Sequence, residues 1–224
     1  YRMKSGPLSG MKVMELGGGI SAGYATKLLA DLGADVLKIE PPGGDITRHI
    51  GPYIEDKPDR EGSGLFLHLN SNKESVTLDL ATNQGWDVLD RVVHHYDLVI
   101  INSALIDSSI EANAHTRFQE DNPELIVSCI SYFGTDGPYA DWKGSDIAAG
   151  AVGGICNYLG EPGRPLLVPP LGIVDYQAGL NAAVATLIAV VAEAGGQIIH
   201  TPVAESWATI QNGMSVIEFI FGER

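Results

Sequence analysis

Basic residues and cysteines are scarce in this sequence. Lys and Arg together number 14 against 28 Asp and Glu, which gives a formal net charge of −14. A surface this acidic repels nucleic acid and anionic membranes, so the composition argues against both as partners. The only two cysteines, Cys129 and Cys156, lie in apolar stretches. We expect both to be reduced core residues, which argues against a disulfide framework and against a metal site.

Long hydrophobic runs are also missing. The most apolar stretch, 178–192, is about fifteen residues long and contains Asn181 and Thr186. Since a helix needs roughly 20 apolar residues to span a bilayer, this stretch is expected to be a core helix. No signal peptide is visible, so the expected location is the cytoplasm. Because the sequence begins at Tyr1 without Met and stops within a helical pattern, we expect a fragment of a longer protein.

The rest of the chain alternates between β-rich runs and helical patterns. Uninterrupted apolar strands separated by helices, such as DLVII, are typical of a parallel sheet covered on both faces. The predicted fold class is therefore α/β, with a Rossmann-like parallel sheet and flanking helices. Strands are predicted at 12–16, 35–39, 75–80, 97–101, 125–130 and 197–201, and helices at 22–32, 83–94, 146–158, 175–193 and 203–221.

A glycine turn follows the first strand in the stretch MELGGGISA, and Glu40 ends the second strand. Glycines at 17–19 permit close backbone approach, and a helix beginning near Ser21 presents free N–H groups to a phosphate. In a strict dinucleotide interpretation, Glu40 would bind ribose hydroxyls. The alternative is a tight turn that lets the helix pack on the sheet. No histidine is a convincing acid or base for hydride transfer, so the turn alone does not identify a dehydrogenase.

Five longer blocks resemble the class III coenzyme A transferases, the family that includes formyl-CoA transferase and carnitine CoA-transferase. In chain order they are PLSGMKVMEL, LLADLGADVLKIEPPGGDITR, LHLNSNKESVTLDL, NPELIVSCISYFGTDGPYADWKGSD and VPPLGIVDYQAGLNAAVATLIAVV. The resemblance implies a Rossmann-like domain whose glycine turn serves coenzyme A, with no NAD. It also implies the N-terminal part of a larger interlocked-dimer fold. On this basis 1–224 is the large domain of a longer protein, and 145–224 is its helix-rich part carrying the nucleophile.

The same resemblance implies the chemistry. The family places its nucleophilic aspartate in a pattern like V-x-D-x-x-x-G-L, which IVDYQAGL matches at Asp175. The carboxylate attacks an acyl-CoA thioester to give a mixed anhydride, which CoA thiolate converts to an aspartyl-CoA thioester. Because Asp175 begins a helix, it is expected to stay ionised at neutral pH. Asp146, in KGSD, matches an acidic position that orients a loop or substrate. For both aspartates the alternative role is a helix N-cap.

The coenzyme A contacts implied by the resemblance are less well matched. Two cations typical of the family are missing, because Glu74 replaces an arginine and INSALIDSS replaces an arginine-containing run. We therefore expect coenzyme A binding to be either weakened or supported from elsewhere. No permanently bound cofactor is expected, and the partners are an acyl-CoA, a carboxylic acid and a second copy of the chain. The predicted contact residues are Ile20, Ser21, Ala22, Lys73, Asn102 and Lys143.

Two other functions remain open. In the sister acyl-CoA racemases a histidine stands at the position of Ser145, and serine is not a base at neutral pH. The second alternative is a non-catalytic half of a tandem protein that serves assembly. The altered coenzyme A positions favour that alternative, and the retained Asp175 favours the enzyme.

Overall fold

A computed structural model of the chain describes residues 6–106, 117–120, 122–157, 159, 163–165, 167, 169–170, 172–193 and 195–221. Its centre is a six-stranded sheet in the order β3-β2-β1-β4-β5-β6, with every neighbouring pair parallel. The strands are β1 (Lys12–Leu16), β2 (Asp35–Glu40), β3 (Lys73–Thr77), β4 (Leu98–Asn102), β5 (Ile126–Ser131) and β6 (Ile198–Pro202). This confirms the predicted α/β, Rossmann-like architecture.

Helices cover both faces of the sheet, as uninterrupted apolar strands require. They are α1 (Gly19–Asp31), α2 (Gly64–Leu69), α3 (Asn83–Val93), α4 (Asp146–Val152), α5 (Ile173–Val191) and α6 (Val203–Phe221). On one face α1 and α5 pack on Val13, Leu98 and Ile100. On the other face, Leu89 and Val93 of α3 pack on the alternate strand residues. Successive residues of β1 and β4 therefore enter different cores.

The contact between α1 and α5 is close because small residues line it. A Cβ placed on Gly179 of α5 would lie 2.5 Å from the carbonyl oxygen of Ser21. By length and composition α5 is apolar enough to cross a bilayer. Its buried residues, among them Ala178, Ala182 and Thr186, instead face α1 and the sheet. One side of the stretch 178–192 is therefore in the core, whereas Val184, Ile188 and Val191 on its other side are exposed.

Four elements differ from the sequence prediction. The strand predicted at 75–80 is Lys73–Thr77, which pairs with β2 from Val36 to Glu40. The helix predicted at 146–158 ends at Val152, because Gly153 and Gly154 follow and Gly154 has a φ of 93°. Tyr158, its predicted end, lies outside the described residues. Helix α2 was not predicted, and α1 begins at Gly19 and not at Ala22.

The two cysteines differ in their burial. Cys129 is buried in the core beneath α3 and Cys156 is partly buried. Neither forms a disulfide. Among the described residues, no cluster of His, Cys, Asp and Glu has the arrangement of a metal site.

Candidate functional site

The strand order reverses between β1 and β4, so the carboxyl ends of these strands form the switch point at which open α/β sheets bind ligands. The glycine turn follows β1 here, and Asn102 ends β4. A cavity of about 260 Å³ opens at this point. A larger cavity, about 530 Å³, lies at the opposite edge of the sheet around Met11, Asp97 and Ile126, and none of the predicted site residues lines it.

The switch-point cavity brings together Asp175, Asp146, Ile20 and Asn102, which are separated by up to 155 residues in the chain (175 − 20). Four of its nine other lining residues have aliphatic side chains. Among the described residues no Lys, Arg or His lines it. The other lining residues are Gly19, Ile46, Thr47, Ile50, Leu105, Tyr132, Ser145, Ile147 and Gly172.

Asp146 holds the first turn of α5 against the cavity. Its Oδ1 accepts hydrogen bonds from the backbone N–H of Val174, at 3.2 Å, and of Asp175, at 3.1 Å. The N-cap of α5 is Gly172, whose φ of 83° brings the chain into the helix without a side-chain cap. Asp146 therefore satisfies N–H groups of α5 from another helix, while Ser145 caps α4 by accepting from Ala148 N.

The second oxygen of Asp146, Oδ2, is buried and has no hydrogen-bond partner among the described residues. Asp146 as a whole is only 7% exposed. A buried polar atom without a partner costs free energy in an empty site. Oδ2 is therefore an acceptor available to a donor group in the cavity.

Asp175 is partly buried in the first turn of α5, and it is not the N-cap of that helix. Burial, and then the negative charge of Asp146, raise its pKa from 3.8 to about 7. This corrects the expectation that it stays ionised at neutral pH, because desolvation outweighs the favourable helix dipole. No hydrogen bond from a described residue counteracts the shift. Burial and the same two aspartates raise the pKa of Tyr132 to about 12.

The predicted coenzyme A residues at the start of α1 divide into two groups. Ile20 lines the cavity and packs against the α5 N-cap, since a Cβ on Gly172 would lie 2.5 Å from Ile20 Cδ1. Ser21 and Ala22 are buried behind it. Asn102 also lines the cavity and bonds the glycine turn to the start of α1, because its Nδ2 donates to the Gly18 carbonyl at 3.0 Å and to Ser21 Oγ at 3.3 Å. Contact of Ser21 or Ala22 with coenzyme A stays a prediction.

The structure places the two predicted lysines away from the cavity. Lys73 has a side chain that is 1% exposed, and its Nζ donates to Glu15 Oε2 at 2.9 Å, to Gly23 O and to Asn70 Oδ1. Burial lowers the pKa of Lys73 to about 8, although Glu15 opposes this shift. Lys143 is exposed in the loop before α4. A contact of Lys73 with coenzyme A would have to replace these three partners.

The sequence of the glycine turn predicted a free anion-binding site at the N-terminus of α1, called here the anion seat, and this site is not free. The backbone N–H of Gly19 donates to Asp45 Oδ2 at 3.1 Å, so a carboxylate of the chain itself occupies the start of α1. Glu40 is not available to a ribose either. It is 4% exposed, and both of its oxygens accept from Arg48, at 2.7 and 2.9 Å. The strict dinucleotide interpretation of Glu40 is therefore wrong.

Sequence reasoning missed the residues that build this corner. Glu15 and Lys38 are register partners on β1 and β2, and their charged groups are 2.5 Å apart. Lys38 also pairs with Asp45 at 2.6 Å. The available signal was a charged residue inside each of two otherwise apolar strands, which burial permits only when the charge is paired. Asp45 had a weaker signal, the Asp-x-Thr pattern of a side chain that bonds the backbone two residues on.

Comparison with known proteins identifies the family of this chain. The family model "CoA-transferase family III" matches residues 8–223. A succinate–glutarate CoA-transferase from Agrobacterium fabrum is 35% identical over 199 residues, covering 86% of this chain and 50% of the relative. A formyl-CoA:oxalate CoA-transferase from Streptomyces avermitilis is 35% identical over 184 residues, covering 81% and 43%. The chain thus spans about half the length of these curated relatives.

Solved structures share the fold of this chain. A CAIB/BAIF family protein from Brucella suis has a TM-score of 0.85 at 30% identity, covering 97% of this chain and 58% of that one. A hypothetical protein from Mycobacterium tuberculosis has a TM-score of 0.83 at 26% identity, covering 96% and 59%.

Proposed function

The chain belongs to CoA-transferase family III, and we propose that its full-length protein transfers coenzyme A between an acyl-CoA thioester and a carboxylic acid. The names of the two relatives, each a CoA-transferase, support this reaction class. One structural observation carries the assignment to a residue. Asp175 lines the switch-point cavity and has no hydrogen-bond donor paired with its carboxylate among the described residues.

Asp175 is the proposed nucleophile. Its carboxylate attacks the thioester carbonyl, the C–S bond breaks, and CoA leaves as the thiolate while an aspartyl acyl anhydride forms. Thiolate attack on the aspartyl carbonyl of the anhydride then releases the acyl group as its carboxylate and leaves an aspartyl-CoA thioester. The acceptor acid runs the same steps in reverse, so no net proton, electron or water is consumed.

The raised pKa of Asp175 supports this role in two ways. A more basic carboxylate is the stronger nucleophile once ionised, and a desolvated one keeps water from the anhydride. The consequence is that Asp175 is partly protonated near neutral pH in the unliganded protein. Asp146 contributes to this state through its charge and holds the backbone of Asp175 in place.

The walls of the cavity suit the acyl and pantetheine end of the substrate. Ile20, Ile46, Ile50, Leu105 and Ile147 are aliphatic, and no cation among the described residues faces them. The phosphates of coenzyme A therefore bind outside this cavity, and the exposed Lys143 is the predicted cation for them. The unpaired Oδ2 of Asp146 is suited to accept from an amide N–H of the pantetheine arm.

The assembly-only alternative is favoured by the absence of a described cation at the cavity. The racemase alternative lacks such support, since the Ser145 hydroxyl caps α4.

A homodimer stays a prediction, consistent with an exposed apolar stripe on α5 at Leu180, Val184, Ile188 and Val191. Ultracentrifugation of the full-length protein measures the oligomeric state. Calorimetry with coenzyme A separates the enzyme from the assembly role, which predicts no binding at millimolar ligand.

Thioester exchange tests the proposed reaction. Full-length protein, an acyl-CoA panel and radiolabelled coenzyme A should give labelled acyl-CoA, and trapping with hydroxylamine should mark the peptide containing Asp175. The substitutions Asp175→Ala and Asp175→Asn should abolish both signals, whereas Asp136→Asn, at an exposed position, should preserve them. Exchange that survives Asp175→Ala would remove the catalytic assignment.

A further inference from the structure

Asp45 occupies the position in which a Rossmann-like glycine turn usually holds a phosphate. The N-terminus of α1 presents the N–H of Gly19, and Asp45 Oδ2 accepts from it at 3.1 Å. The same oxygen lies 2.6 Å from the ammonium of Lys38. Gly18, with a φ of 59°, has no space for a Cβ because the Asp45 carboxylate fills it. One carboxylate therefore satisfies the helix N-terminus and a buried cation together.

The other oxygen of Asp45 fixes the chain that follows. Oδ1 accepts from the backbone N–H of Thr47 at 2.7 Å and from its hydroxyl at 2.6 Å. The N–H of Asp45 donates to Glu40 Oε2 at 2.9 Å. The 3₁₀ turn Ile46–His49 thus starts from a residue held on three sides. Ile46, Thr47 and Ile50 form the part of the cavity wall that Asp45 controls.

Asp45 also completes a balanced group of buried charges. Glu15 and Asp45 are the acids, and Lys38 and Lys73 are the bases, and each of the four side chains is no more than 1% exposed. Without Asp45 the group carries one uncompensated positive charge inside the fold. Such a site is costly to leave empty and binds a small anion of the right shape.

We propose that Asp45 is a positioning residue: its carboxylate fills the anion seat at the start of α1, excludes phosphate from the glycine turn, and fixes the Ile46–Ile50 wall of the cavity that contains Asp175. The seat itself does not depend on the proposed transferase reaction. Only the value of the wall to catalysis rests on that function.

Chemical rescue tests the seat. Asp45→Ala keeps the Cβ and removes a carboxylate, so formate supplies the missing group. The variant should unfold roughly 10 °C below the wild type in chloride, since a buried ion pair is broken. Formate should recover at least half of that loss relative to chloride at equal ionic strength, and it should not shift the wild type. If Asp45→Ala precipitates in chloride, refolding yields in the two salts give the same comparison.

Two matched variants identify the cause. Asp79→Ala removes a carboxylate that also bonds the N–H two residues on, at Ala81, but has no lysine partner in the described part of the chain, so formate should have no specific effect on it. Asp45→Asn keeps the volume of the side chain and loses the charge, so the variant should be destabilised. Formate should not restore its stability, because the amide already occupies the anion seat. Equal responses of Asp45→Ala and Asp79→Ala to formate would overturn the proposal.

The titration of Asp175 tests the wall. Asp146 and Tyr132 are the titratable neighbours that line the cavity with it, and both remain in every variant. In Asp45→Ala, water entry past the loosened wall and the positive charge of Lys38, which Glu15 still contacts but Asp45 no longer balances, should lower the pKa of Asp175 by at least one unit. Formate should reverse the change. Carboxyl ¹³C NMR, with the Asp175 signal assigned from Asp175→Asn, measures it without any turnover. An unchanged titration in a folded Asp45→Ala would refute the positioning role, whereas lost thioester exchange alone would not bear on it.

Discussion

Replacing Asp175 by Asn is expected to make the protein more stable at pH 8, although it removes the proposed nucleophile. The pKa of Asp175 is raised in the folded state because burial and Asp146 disfavour its charged form. Above neutral pH the folded protein must hold that charge in the cavity, and the unfolded chain holds it in water. An amide of the same shape has no charge to desolvate, so the variant avoids the penalty.

The magnitude and sign follow from proton linkage. A folded pKa of about 7 against an ordinary 3.8 corresponds to roughly 3–5 kcal/mol at 1.36 kcal/mol per unit. Because the folded pKa is the higher one, the stability from the protonated group is fully present below pH 3.8. It is lost as the pH rises to about 7 and is constant beyond. The Asp175→Asn variant should therefore match the wild type near pH 4 and exceed it by the full amount at pH 8.

Thermal unfolding across this pH range is the assay. For a domain of this size the difference should grow to roughly 10 °C at pH 8. Asp136→Asn, at an exposed position, controls for removing one negative charge from an acidic protein and should change the unfolding temperature by much less. A pH-independent difference, or a variant less stable than the wild type at pH 8, would refute the argument that Asp175 is desolvated and unpaired.

Three further perturbations test the surrounding contacts. Asp146→Asn keeps an acceptor for the α5 backbone but removes a charge, so the pKa of Asp175 should fall below 7. Because burial is the larger cause of the shift, this pKa should stay above 3.8. The acid limb of the rate profile or carboxyl NMR measures it. Lys38→Met should lower the free energy of unfolding by about 3–5 kcal/mol in urea titrations, since two buried acids lose their shared partner. Gly179→Ala should cost about 1–3 kcal/mol by pressing α5 away from α1. In the same assay Gly213→Ala, where a Cβ meets nothing within 4 Å, should gain about 0.5–1 kcal/mol.

The sheet was predictable because its strands are buried on both faces. Runs such as LVII, the first four residues of β4, are apolar at every position, which is typical of a covered parallel sheet. Helix α2 was missed because six residues are too few to show a helical period, although Ser63 caps it by the usual local contact with Phe66 N. The 146–158 prediction failed because small residues suit a helix until Gly154 requires a positive φ.

The candidate site was predictable only in part, for the same kind of reason. Ile20, Asn102, Asp146 and Asp175 were identified from local blocks, and the fold brings the four residues together at the switch point. The wall formed by Ile46 and its neighbours was not. It depends on Asp45, whose partners Gly19 and Lys38 lie 26 and 7 residues away in the chain (45 − 19 and 45 − 38). No local pattern encodes such pairings.

Asp45 and Asp175 are two carboxylates at this switch point with opposite electrostatic environments, and the contacts of Asp45 account for the raised pKa of Asp175. The N-terminus of α1 and the ammonium of Lys38 are sources of positive potential close to the cavity, and they would lower the pKa of any acid that reached them. Asp45 neutralises both at contact distance. Asp175, on the far wall, is left with burial and the like charge of Asp146 as its main influences, and both raise its pKa. By cancelling the positive field of the glycine turn, Asp45 therefore serves the proposed nucleophile. A free anion seat would bind a competing acid or phosphate in the site. It would also lower the pKa of Asp175 and make its carboxylate less basic.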